Sequence, residues 1–95
     1  MLELKDFEEA KKRVDEVIIP TPLIYSPAFS KECRNVVYIK PENLQRTGAF
    51  KIRGAYNKIM KMDDESKSRG LIASSAGNHA QGVAYAAQQL GVKAT

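Results

Sequence analysis

Runs rich in β-branched residues alternate with helix-periodic stretches along this chain, and the alternation restricts its fold more than any other feature. "NVVYIKPE" at 35–42 has the β-branched and aromatic content of a buried strand. From about Ile52 to Met62, the residues Ile52, Ala55, Tyr56, Ile59 and Met60 recur on one helical face. The polar connection "DDESKSRG" leads to "GLIASS", read as a short buried strand. Then come "NHAQGVAYAAQQL", a helix stopped by Gly91, and "VKAT", the opening of another strand. Strand, helix, strand, helix, strand at these spacings predicts an α/β fold, an open parallel sheet with flanking helices. Upstream, Leu4, Phe7, Ala10, Val14 and Val17 predict an amphipathic helix, with Asp6 and Glu9 placed like a capping box. Pro20 and Pro22 in "IPTP" stop it, and an extended "LIYSP" with a polar turn follows.

A parallel sheet of two or three strands would leave edges and faces uncovered, which such sheets rarely tolerate. A chain of 95 residues also buries only about 60% of its unfolded surface, so its core is small. The expectation is a partial sheet: residues 1–95 form a truncated segment of a larger α/β protein. No repeat, linker or complete second domain lies within them.

Charge and cysteine content narrow the function classes. Cys33 is the only cysteine, so no internal disulfide can form and a reducing cytoplasm is expected. No apolar run approaches the length of a membrane span, so no membrane partner is expected. The net charge of +4 is local, centred on Lys40, Arg46, Lys51, Arg53, Lys58 and Lys61. No aromatic residues interleave with these bases as in stacking platforms, so no nucleic-acid partner is expected. His79 is the only histidine, which excludes a multi-histidine metal site within these residues. Asp63, Asp64 and Glu65, at the end of a predicted helix, read as solvated turn residues.

Two turns carry the remaining signal. In "GAFKIRGAYNKI", Lys51 stands between Phe50 and a helix start, at a tight, half-buried turn with glycines on both sides. The positive helix end, with Arg46 and Arg53 nearby, favours an uncharged and nucleophilic amine there. In "SSAGNHAQG", Gly77 and Gly82 are spaced as in a P-loop, but Val83 and Ala84 replace its Lys and Ser/Thr, which excludes that motif. What remains is an anion-binding helix start with Asn78 as a cap, or an ordinary capped helix. Ser74 and Ser75 lack the G-x-S-x-G context of a nucleophile. A nucleophilic lysine near a turn able to grip a carboxylate suits imine chemistry on an amino acid, while a stand-alone anion-binding module stays open.

"KPENLQRTGAFKIRGAYNKI" and "SSAGNHAQGVAYAAQQLGVKAT" together closely resemble the N-terminal part of threonine dehydratases, or threonine ammonia-lyases. These are fold-type II pyridoxal-phosphate enzymes, related to serine dehydratases, serine racemases and cysteine synthases. The resemblance runs from "PTPLIYSP" to Thr95. It implies that Lys51 forms the internal aldimine with pyridoxal 5'-phosphate, that Phe50 packs beside the pyridine ring, and that Asn78 bonds the ring hydroxyl. It further implies that Ser75, Gly77 and His79 lie in the loop receiving the carboxylate of a small amino-acid substrate. The implied reaction is α,β-elimination of L-threonine, with a serine racemase or dehydratase-type relative as the alternative. Ala76 occupies the position where serine racemases of this family carry a serine serving the second face, which favours elimination. By the same resemblance, the groups for the cofactor phosphate and pyridine nitrogen lie beyond Thr95. The 95-residue piece alone is then expected to be inactive, and the complete protein a homo-oligomer.

Overall fold

The computed structural model describes all 95 residues. The chain opens with helix α1 (Leu4–Val14), then strand β1 (Ile24–Tyr25), helix α2 (Pro27–Cys33) and strand β2 (Tyr38–Ile39). Two 3₁₀ turns, Glu42–Leu44 and Arg46–Gly48, lead into α3 (Lys51–Met60), α4 (Asp64–Ser68) and α5 (Asn78–Leu90).

The core is helical. α3 lies between α1 and α5, and its apolar face, Ile52, Ala55, Tyr56 and Ile59, packs with Val14, Val17 and Ala86. Ile52 and Ala86 are wholly withdrawn from solvent, and burying a side chain the size of isoleucine stabilises by about 1.5–3 kcal/mol. α5 ends where Gly91 turns left-handed, with φ of 66°, and the Val92 N–H reaches back to the Ala87 carbonyl at 2.9 Å. That reversal brings 93–95 alongside 71–73. Leu71 N–H donates to Lys93 O at 2.8 Å, Thr95 N–H to Leu71 O at 2.9 Å and Ala73 N–H to Thr95 O at 3.0 Å. The pairing is parallel, the strand–helix–strand unit read from the sequence, but it amounts to a single bridge between Leu71 and Ala94.

The sheet departs from expectation elsewhere. β1 and β2 form an antiparallel ribbon pairing Ile24 with Ile39 and Tyr25 with Tyr38, whose rings meet edge to face at 5.7 Å. "NVVYIKPE" is not buried: Val36, Tyr38 and Ile39 stay largely exposed, because a two-stranded ribbon has no layer packed on either face. Ile72 of "GLIASS" is also exposed, since its single parallel partner covers neither face.

Three local readings are corrected. The polar turn after "LIYSP" is helix α2, with Ser26 as N-cap accepting from the Phe29 N–H and Pro27 at the first helical position. The stretch after Met62 is not a plain connection but α4. Asp63 caps it by accepting the Ser66 N–H at 2.7 Å, a bond that holds its carboxyl below the ordinary aspartate value. The capping box of α1 begins earlier, with the Glu3 N–H donating to Asp6 at 2.7 Å.

Candidate active site

Lys51 is the first residue of α3 and is exposed, not half-buried. Its amine lies 5.1 Å from the centroid of the Phe50 ring, itself more than half exposed. No carboxylate lies within ion-pair distance of it. Arg53, expected to crowd Lys51 with positive charge, is engaged elsewhere. Its Nε and Nη2 donate to the two carboxylate oxygens of Glu42, each at 2.9 Å. Glu42 is correspondingly pulled down to about 2, chiefly by those Arg53 bonds and further by the Thr21 hydroxyl and the positive charges of Arg53 and Lys40. The Lys40 amine in turn donates to the Thr21 carbonyl at 2.7 Å.

A second clasp holds the same turn. The buried Gln45 side chain accepts from the Ile19 N–H and donates to the Ile19 carbonyl, both at 2.8 Å, and also accepts from its neighbour Arg46 N–H at 2.9 Å. "IPTP" and the 3₁₀ turns are thereby joined as if by a short β-ladder made with one side chain. Between this clasp and Lys51 the backbone turns left-handed twice, at Thr47 (φ 64°) and Gly48 (φ 71°). A β-branched residue held in that region costs on the order of 1–2 kcal/mol, so its surroundings must over-determine it. The Thr47 hydroxyl is buried without a partner.

The second turn is built more simply. Gly77 is the N-cap of α5, and its carbonyl accepts the Gln81 N–H at 3.2 Å. Asn78 is therefore the first helical residue and not the cap. With its backbone already helical, its side chain makes no bond to the N–H groups it was expected to satisfy. Ser75 Oγ accepts the Gly77 N–H at 3.3 Å, and Ser75, Asn78 and His79 are exposed. The packing of α3 on α5 sets Gly82, one turn into α5, against the backbone of Lys51, and α5 also touches the 3₁₀ turn before α3, so the two helix starts are neighbours.

The side chains offered there are a primary amine free of ion pairs, an aromatic face beside it, a carboxamide, and a serine–glycine turn at a helix N-terminus. That donor set suits an aldehyde-bearing aromatic cofactor: an amine for the aldehyde, a ring surface, and an amide for a ring hydroxyl. Sequence reasoning missed Gln45, Glu42 and Thr21. The only signal for them was the pair of polar residues Glu42 and Gln45 inside a motif otherwise read for Lys51.

Comparison with known proteins agrees with that chemistry. Residues 14–95 match the family described as pyridoxal-phosphate dependent enzyme. The L-threonine ammonia-lyase of Thermotoga maritima is 52% identical over 95 residues, covering all of this chain and 24% of that protein. The solved structure of a threonine deaminase from T.th. is 44% identical with a TM-score of 0.83, covering 99% of this chain and 33% of that one. Dictyostelium discoideum serine racemase is 41% identical with a TM-score of 0.89, covering 98% and 30% respectively. The chain spans about a quarter of the length of the curated relatives it matches. Its α/β fold is that of the N-terminal portion of fold-type II enzymes. With a family match across most of its length and a relative more than half identical, this chain belongs to the pyridoxal-phosphate dependent enzyme family.

Proposed function

We propose that residues 1–95 are the N-terminal segment of the catalytic domain of a threonine ammonia-lyase, converting L-threonine to 2-oxobutanoate and ammonia, and L-serine to pyruvate and ammonia. The observation that carries this is Lys51 itself, an exposed amine at the start of α3, beside Phe50 and on the end of the helix pair that also presents Asn78. Pyridoxal phosphate, when bound, supplies a conjugated ring that delocalises the negative charge left by loss of a proton from the substrate's α-carbon. The Lys51 amine would hold the cofactor through its aldehyde, and Nζ would serve as the base for the substrate's α-proton. Phe50 would offer the ring an aromatic face, and the Asn78 carboxamide would bond the ring hydroxyl. Ser75, Gly77 and His79 receive the substrate carboxylate, aided by the helix N-terminus. The α-proton and β-hydroxyl would be lost together as one water, and one water taken up in hydrolysis of the released enamine would give the 2-oxo acid and ammonia. In the complete domain, the parallel pair 71–73 and 93–95 is the start of an open parallel sheet.

A racemase is the second reading, favoured by the likeness to a serine racemase. Inversion needs a proton donor on each face of the substrate carbanion, and Ala76 has none to give. Elimination is therefore preferred.

The test is borohydride reduction of the full-length protein with pyridoxal phosphate, followed by digestion and mass spectrometry. The expected result is a single cofactor adduct on Lys51. An adduct elsewhere, or none, overturns the assignment.

A further inference from the structure

One turn inside its N-terminus, helix α5 comes against the backbone of Lys51. Gly82 is buried there. A Cβ placed on it would fall 3.1 Å from the Lys51 carbonyl carbon, 3.2 Å from the Ile52 nitrogen and 3.3 Å from Lys51 Cβ. Carbon atoms in ordinary contact sit about 3.5–4.0 Å apart. The atoms that would have to yield belong mainly to the backbone of the first turn of α3, which cannot swing aside as the tip of a side chain does. Gly54 in α3 is the internal contrast, since a Cβ there would meet nothing within 4 Å. Glycine is a poor helix former, so α5 carries an unfavourable residue at the very place where it rests on Lys51. Asn78 precedes Gly82 by four residues and shares its face of the helix. A shift of α5 at Gly82 would carry Asn78 with it.

We propose that Gly82 is a positioning residue for the reaction. By letting the backbone of α5 rest directly on that of Lys51, it sets the span between amine and amide across which pyridoxal phosphate is held. The proposal deepens the functional reading above and rests on it. A Cβ at position 82 requires the facing backbone of α3, or α5 itself, to give by a few tenths of an ångström. Catalytic geometry is sensitive on this scale, because a misplacement of 1 Å can cost roughly 10²-fold in rate.

The experiment compares Gly82→Ala with Gly54→Ala in the full-length protein. It measures cofactor dissociation on dialysis, the pH midpoint of the bound cofactor's visible absorbance, and kcat and KM for L-threonine. Gly82→Ala is expected to hold the cofactor roughly tenfold more weakly, to shift the pH midpoint, and to lower kcat roughly tenfold with KM little changed. Gly54→Ala should match the parent protein in all of these. A folded Gly82→Ala protein with unaltered affinity, midpoint and kcat overturns the proposal. If Gly82→Ala alone does not fold, the Gly54→Ala/Gly82→Ala double variant gains helix propensity at an open position and takes its place. Failure of that variant to fold shows a packing role only, and also overturns the proposal. A parent protein that binds the cofactor beside an unaltered Gly82→Ala sinks only the positioning role. A parent that takes up no cofactor sinks the functional reading, and this inference with it.

Discussion

The turn entering α3 is anchored by its own side chains reaching to distant parts of the chain: Gln45 clasps the backbone of Ile19, and Glu42 takes Arg53 and Thr21. The turn entering α5 contains one internal side-chain bond, from Gly77 N–H to Ser75, and otherwise leans on the packing of α5 against α3. Both present a proposed functional residue at the first position of a helix. The first turn carries backbone strain at Thr47, whereas the loop 73–77 has no residue with positive φ. A strained turn needs clamps; an unstrained one is placed by its helix alone. The turn before the residue proposed for a covalent role is thus bolted down by polar groups, and the turn proposed to receive the substrate is left adjustable.

The clamps can be broken by acid. Glu42 sits at about 2 when folded against an ordinary value of 4.5, so the unfolded chain binds the extra proton first. Its stabilising effect is complete above about pH 4.5 and is lost as pH falls toward 2, on the order of 3 kcal/mol in all. Urea midpoints measured across that window should fall with pH in the parent protein and fall less steeply in Glu42→Gln. Equal slopes would show that the pair with Arg53 contributes nothing to stability.

Gln45→Ala removes the other clasp. Unpairing the Ile19 backbone should destabilise by roughly 1–3 kcal/mol, read as a lowered melting temperature. Ser75→Ala in the second turn, by contrast, should change stability by less than about 0.5 kcal/mol, as exposed substitutions usually do. Comparable losses in the two variants would erase the distinction between the turns.

Asn78→Ala sharpens the comparison from the functional side. With the fold held by Ala86, Ala87 and the α3 face, melting should be unchanged while cofactor retention weakens roughly tenfold, about 1.4 kcal/mol. Unfolding without any change in cofactor affinity would make Asn78 purely structural. The smallest effect is expected of Ala76→Ser: the exposed position should accept the hydroxyl and gain detectable racemisation. Chiral chromatography of residual substrate after turnover in heavy water measures this, and abundant D-amino acid from the unmodified protein would locate a second proton donor elsewhere.

What can be read from the sequence divides along the same line. α5 is legible from end to end because glycine punctuates both termini and its apolar residues keep helical spacing. The first turn of α3 is legible as a motif around Lys51, but the means by which it is held is not. Gln45 bonds to main-chain atoms 26 residues away, and main-chain partners leave no trace in side-chain pattern. Asn78 reads as a cap one position too late because glycine, here the actual N-cap, serves that role without a side chain. α2 escapes notice although Ser26–Pro27 is a helix-start signal, since "SPAFSKEC" has too few apolar residues to show a period. The strands expected to be buried are exposed because β-branched content reports what a strand is made of, not which layers cover it.

The Gln45 clasp has a consequence for how such sequences diverge. It recognises the N–H and carbonyl of residue 19 and makes no demand on that residue's side chain, which projects partly into solvent. Position 19 is therefore free to drift among nearly all amino acids without disturbing the lysine turn, and proline alone is barred, for want of the donor. Position 45 has no such freedom: an amide of glutamine's reach offers both the donor and the acceptor that the main chain of one residue requires. Among descendants of a common ancestor, the two ends of one interaction should evolve at sharply different rates.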